Sequence, residues 1–381
     1  MPLKKLQLKA GINRENTRYT SEGGWYDCDK IRFRQGTPEK IGGWQRISST
    51  TFLGVCRSLW NWVTLGSRNL IGVGTNLKFY IENGGAYNDI TPLRATVVLT
   101  NPFETTSGSP IVEVTDANGG YTDGDFVTFS GASAVGGLTL NAEYQLTETT
   151  TANVYTIDAG TNAGSSATGG GTVTAAYQIN IGPAFVVPLV GWGASNWSSG
   201  EWGVGNASTD SIRVWSQSNF GEDLIFGPRN GGIYFWDATS GLNARAVLLS
   251  GSAVPTSQKI ILVSDISRFV FAFGTNELAS ATVNPMLVRW SDQEDATNWL
   301  PSATNQSGDL VLSNGTQIVT AKQARQEVLV WSDSALYALQ YVGAPAVWTA
   351  QLVGENISIA SQNAVAYANG VAYWMGRDKF Y

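Results

Sequence analysis

The stretch DLIFGPRNGGIYFW at positions 223–236 decides the fold. An apolar run, Leu224-Ile225-Phe226, meets a turn rich in Gly and Asn, and a second run ends on Tyr234, Phe235 and Trp236. Short β-branched and aromatic runs on either side of such a turn read as a β-hairpin. The pattern returns as NLIGVGTNLKFY at 69–80, as FVFAFGTN at 269–276 closing on MLVRW at 286–290, as EVLVWSDSALY at 327–337, and as VAYWMGRDKFY at 371–381. The later copies recur at roughly 45–55 residues, the period of four-stranded propeller blades. A blade cannot bury both of its faces alone, and stacking blades round an axis solves this while leaving only short edges. The reading is therefore all-β, a β-propeller, with a β-sandwich as the competing arrangement. If the hairpins are equivalent, Leu70, Ile225, Phe271, Leu329 and Tyr373 occupy one position and lie between sheets. The last hairpin stops in its second strand, so the propeller is expected to be incomplete here and the chain truncated.

Composition agrees with a turn-rich β protein. Of 381 residues, 43 are Gly, 43% are apolar and only 14% are charged. Residues 94–178 differ in texture: they are rich in Thr, Gly, Ala and Ser and contain no Trp. Strand signals such as PIVEVT (110–115), DFVTF (125–129), EYQLT (143–147) and VYTI (154–157) alternate there with Gly turns. This reads as a small β-sandwich or barrel inserted into a blade loop. The organisation expected is an extended basic segment with short strands at 1–50, blades at 51–93 and 179–381, and the insert at 94–178.

Charge separates the first segment from the rest. Its first 46 residues carry ten Lys/Arg and five Asp/Glu, a net +5, which leaves −11 for the remainder of a chain at −6. KIRFR at 30–34 alternates as a half-buried strand whose outward face is Lys30, Arg32 and Arg34. Those three are candidate protein contacts, the bland alternative being a solvated arm. A second candidate contact is the Gly/Trp-rich stretch 191–205 with Trp192, Trp197 and Trp202, either an exposed binding loop or a surface cap.

Chemistry is sparse. There is no His, which removes the commonest general base and zinc ligand. Cys28 and Cys56 are read as reduced thiols, with a single disulfide as the alternative. The Asp292, Glu294 and Asp295 turn ahead of Trp299 resembles the Asp-box hairpin of glycosidase propellers, a structural device in which a carboxylate accepts backbone N–H bonds. Asp116, Asp123 and Asp125 lack the spacing of a calcium loop, and the turn at 227–232 lacks the features of a phosphate loop. No catalytic, cofactor-binding or metal residue is assigned, and the chain is expected not to be an enzyme and to need no cofactor. No secretory signal or membrane-spanning run is expected.

Several strings together resemble a known group: GGW (23–25) with KIRFR (30–34), KIGGW (40–44), RSLW (57–60), RWSD (289–292) through Asn298-Trp299, and YVGAP (341–345). They resemble structural proteins of short-tailed phages similar to the podovirus tail nozzle, or packaged-DNA stabilisation protein. Within the insert, GDFVTFSG (124–131), LNAEYQ (140–145) and YTI (155–157) resemble a phage tail module related to the first catalytic-cysteine half domain of ubiquitin-activating enzymes. No Cys lies in 94–178, so only that scaffold is implied. The resemblance implies a virion protein, assembled in the host cytoplasm. It would form a homo-oligomeric ring against tail adaptor or portal-proximal proteins, with viral DNA passing transiently and the host surface as a further contact. The alternatives are a receptor- or glycan-binding tail protein and a propeller glycosidase.

Overall fold

The computed structural model describes residues 9–381 except 16, 21, 44, 46–47, 118–120, 122–123, 152, 181, 183–211, 213 and 266. The chain divides into two units, 1–49 and 50–381. In the first, β1 (Ile31–Arg34) and β2 (Thr37–Lys40) form an antiparallel hairpin. Ile31 and Phe33 are half-buried while Arg32 and Arg34 are exposed, as period-two alternation requires.

Among its described residues the second unit is all-β apart from one 3-10 turn. It opens with a four-stranded sheet, β3 (Cys56–Val63), β4 (Asn69–Thr75), β5 (Phe79–Asn83) and β6 (Ala86–Asp89), paired in sequence order. The chain then leaves for eight strands that share a separate sheet. These are β7 (Leu93–Thr100), β8 (Phe103–Thr105), β9 (Ile111–Thr115), β10 (Phe126–Ser130), β11 (Glu143–Thr151), β12 (Val154–Asp158), β13 (Ala167–Gly169) and β14 (Thr172–Gln178), in the order 13-8-9-12-11-10-14-7. This sheet curls over a core of its own, in which Phe103 of β8 meets Phe129 of β10 edge-on at 5.0 Å.

Four further sheets follow the same meander as the first. The second sheet is β15 (Trp215–Phe220), β16 (Asp223–Pro228), β17 (Tyr234–Trp236) and β18 (Val247–Leu248). The third is β19 (Ile260–Val263), β20 (Val270–Phe273), β21 (Leu287–Trp290) and β22 (Gly308–Val311). The fourth is β23 (Ile318–Gln323), β24 (Glu327–Ser332), β25 (Ala335–Gly343) and β26 (Val347–Glu355), and the fifth has only β27 (Val365–Ala368) and β28 (Val371–Trp374).

No single core joins these sheets. Each adjacent pair has its own: Leu70, Phe79, Trp215 and Phe226 between the first and second; Ile225, Ile261, Val263 and Val270 between the second and third. Phe271, Phe273, Val328 and Val330 fill the third interface, and Leu329, Trp331, Val365 and Trp374 the fourth. Alternation makes this work, because successive residues on a strand face opposite neighbours. Thus Ile225 faces the third sheet, while Leu224 and Phe226 face the first. The first interface also depends on glycine. A Cβ on Gly74 of β4 would lie 2.5 Å from the Trp215 ring, so only Gly lets the two sheets approach there.

The five positions read as equivalent all fall on the second strand of their sheets, and each points towards the next sheet. Leu70, Ile225, Phe271 and Leu329 are buried accordingly. Tyr373 is not: it is 56% exposed beside Val371 at 47%. The expectation that it lies between sheets is corrected, because no sixth sheet follows the fifth among the described residues. At the other end of the series, Leu59 (66%) and Val63 (59%) of β3 are exposed on the face turned away from the second sheet.

The eight-stranded sheet joins the first where β7 and β14 run side by side, with Leu93 paired to Gln178. Chain entry and exit are adjacent, so replacing 94–177 by a short Gly/Ser linker should leave the five sheets folded. Far-UV circular dichroism and a cooperative melt of the shortened protein check this; recovery of only insoluble or unfolded chain would show that the sheets depend on those residues.

Candidate functional site

Strands β3, β15, β19, β23 and β27 are each the terminal strand of their sheets, and each lies beside its counterpart in the neighbouring sheet. Among the described residues each has a strand partner on one side only. Together they surround a cavity of about 340 Å³. Side chains latch the sheets at this depth. Gln217 Nε2 donates to Ser58 Oγ (2.6 Å), the Ile261 N–H to Ser216 Oγ (2.9 Å), and Thr320 Oγ1 to the Gln362 carbonyl (2.7 Å).

The lining is polar for a β-core. Ser58, Ser216, Ser218, Gln323 and Asn363 face it together with Trp60 and Tyr367. Among the described residues that line it, Lys322 is the only cation and Asp265 the only acid. The Lys322 ammonium sits 5.8 Å from the Trp60 ring centre, so the fourth sheet reaches across to the first. Among the described residues this ammonium has no ion pair within 4.0 Å and no hydrogen bond. Asp265 is exposed at the end of β19; local desolvation pushes its carboxyl above the ordinary carboxylate range, and the Lys322 charge opposes that shift.

The residues singled out by sequence lie elsewhere. Lys30 and Arg34 are exposed on the first unit, and Arg32 Nε is 2.5 Å from Glu39 Oε1 across the hairpin. Lys30 Nζ lies 3.5 Å from Asp29. Trp192, Trp197 and Trp202 lie outside the described residues. Cys28 and Cys56 are free thiols, and burial pushes the Cys56 thiol up. In the acidic turn, Asp292 Oδ1 accepts from the N–H groups of Gln293 and Gln306, and Asp295 Oδ1 from the N–H and the hydroxyl of Thr297. Trp299 is buried below them, as the structural reading of that turn requires. Asp116 is buried and accepts from Tyr177, whose hydroxyl also meets that of Tyr155. Among the described residues no group of three or more Cys, Asp or Glu is placed to hold a metal ion, and no helix is long and apolar enough to cross a membrane.

Sequence reasoning did not find the cavity, whose residues come from five segments between 58 and 367. One signal was available. Polar residues interrupt strands expected to be apolar, as in WSQS at 215–218 and TAKQ at 320–323, where a core would want Val or Ile.

No family model and no curated protein matches the chain. Among solved structures it aligns with the phage phi92 endosialidase at 13% identity and a TM-score of 0.26, covering 89% of this chain. The aligned region is 55% of that structure's length. The expectation that the chain is not an enzyme is corrected on physical grounds: lack of His leaves glycoside hydrolysis open, since that reaction most often runs on two carboxylates.

Proposed function

We propose that the chain is a structural subunit of a phage tail, packed side by side with neighbours. The observation that supports this reading is a scaffold of sheets that pack face to face, each interface with a core of its own, together with a hairpin whose Lys30 and Arg34 are exposed. Stacked sheets of this kind, carrying charged side chains outside their cores, suit side-by-side packing with copies, which closes into a ring when the rotation allows. The phage assignment draws on the strings quoted above, and the finer reading is a nozzle-like ring below the tail adaptor. Net charge fits such a conduit, because an acidic body lets a duplex slide where Lys- or Arg-lined walls would hold it. Arg34, and Lys30 beside it, would then meet an acidic neighbouring protein.

The test is assembly. The full chain should form a ring in negative-stain images, and Arg34→Glu should abolish docking to its tail neighbour with an unchanged melting midpoint. A wild-type chain that stays monomeric at all concentrations, alone and with its tail neighbours, would sink the ring.

A further inference from the structure

We propose that the cavity ringed by the five inner strands binds a small acidic saccharide. This goes beyond the tail-subunit reading, which requires no small ligand.

Three observations converge. The first is the wall itself. Five strands that pair on one side only leave edge N–H and C=O groups towards the cavity, apart from those already taken, such as the Ile261 N–H held by Ser216 Oγ. Such a wall mixes donors and acceptors in close alternation. Ser58, Ser216, Ser218 and Asn363 extend that mixture with hydroxyls and an amide. A polyol satisfies both kinds of group at once, since each hydroxyl donates one bond and accepts two; an apolar ligand would leave the wall unpaired, a costly outcome.

The second is Lys322. It is the only cation in the lining, half-buried, and without an ion pair among the described residues. Asp265 lies too far away to pair with it at 4.0 Å. A ligand carboxylate would supply the missing anion with a charge-assisted hydrogen bond, roughly twice as strong as a neutral one. Asp265, whose carboxyl feels the Lys322 charge without pairing with it, is an acceptor for hydroxyls rather than for the carboxylate.

The third is size and surface. A cavity of about 340 Å³ sits at the lower end of ligand-binding pockets. That suits one or two sugar rings. Trp60 and Tyr367 contribute aromatic surface for the C–H faces of such rings.

The experiment titrates the full chain with D-glucuronate, D-glucose and acetate, followed by ligand-observed NMR. Glucuronate is expected to bind with a Kd of about 1 mM, and glucose about tenfold more weakly. Lys322→Met should weaken glucuronate about tenfold and leave glucose unchanged, while Lys322→Arg should retain the preference. Lys322 is half-buried at the cavity, so the Met variant should melt with the wild type. Four outcomes would overturn the proposal. They are no saturable glucuronate binding by about 10 mM, equal affinity in wild type and Lys322→Met, equal binding of glucose and glucuronate to the wild type, or acetate competing as well as glucuronate. The last would leave a plain anion site.

Discussion

Replacing Lys78 by Met should destabilise residues 50–381 by about 3–5 kcal/mol, the range found when one partner of a buried ion pair is removed. Lys78 follows the turn between β4 and β5, and its side chain is 3% exposed. Its ammonium lies 2.8 Å from Asp89 Oδ2 and donates as well to Glu143 of β11. Arg245 approaches the same two carboxylates at 3.4 and 3.7 Å. Removing Lys78 therefore leaves two partly buried anions to share one guanidinium. Burial alone would push the Asp89 carboxyl up, but Arg245 and Lys78 outweigh it and hold the group below its ordinary value. A carboxyl lowered on folding contributes stability above its unfolded pKa of about 3.9 and loses it as pH falls through the lower folded value. The deficit of the Met variant should accordingly be full at pH 7 and shrink as acid neutralises the carboxylates. Urea midpoints at pH 7 and at about pH 3, below the unfolded carboxylate pKa, measure it, and a deficit under about 1 kcal/mol at pH 7 would place this cluster among solvated surface pairs instead.

Trp215→Ala should be comparably severe, about 3–5 kcal/mol, through the cavity left between the first two sheets. Trp215 is almost fully buried, its ring centre 5.0 Å from Phe79, and Nε1 donates to the Thr75 carbonyl at 2.6 Å. The same contact predicts a coupling. Gly74→Ala in the wild type drives a methyl into the indole and should be destabilising by about 1–3 kcal/mol. With Trp215 already truncated the two ring contacts are gone and only its Cβ, 3.0 Å away, remains, so the second substitution should cost less than it does in the wild type. Strictly additive losses in a double-mutant cycle would mean that the two sites do not meet.

How far the sequence carried can be judged at these residues. The equivalence of Leu70, Ile225, Phe271 and Leu329 was legible because strand periodicity and turn chemistry are local, and all four sit on second strands facing the following sheet. Tyr373 has the same local signature. Its exposure depends on whether another sheet follows, which no hairpin encodes. The alternation of Lys30, Arg32 and Arg34 was equally local, but Glu39 opposite Arg32 is set by cross-strand register and went unread. The cavity was the least legible feature. Ser58, Ser218, Asp265, Lys322 and Tyr367 meet only because five sheets share an axis, and no spacing along the chain announces that. The cluster around Lys78 is similar, since Glu143 is 65 positions away in another sheet.

That cluster also governs how mechanical load would travel. Glu143 belongs to the eight-stranded sheet, Lys78 to the first of the five, and Arg245 to the loop before β18 of the second. Arg245 is tied in addition to the Thr91 carbonyl at the crossing between sheets, and the neighbouring Ala246 N–H to the Ile90 carbonyl. A pull applied to the eight-stranded sheet is thus not borne by its two chain crossings alone. It is shared through one carboxylate with two sheets, across the very interface that Trp215 fills, so that this module works as a lever anchored at a seam.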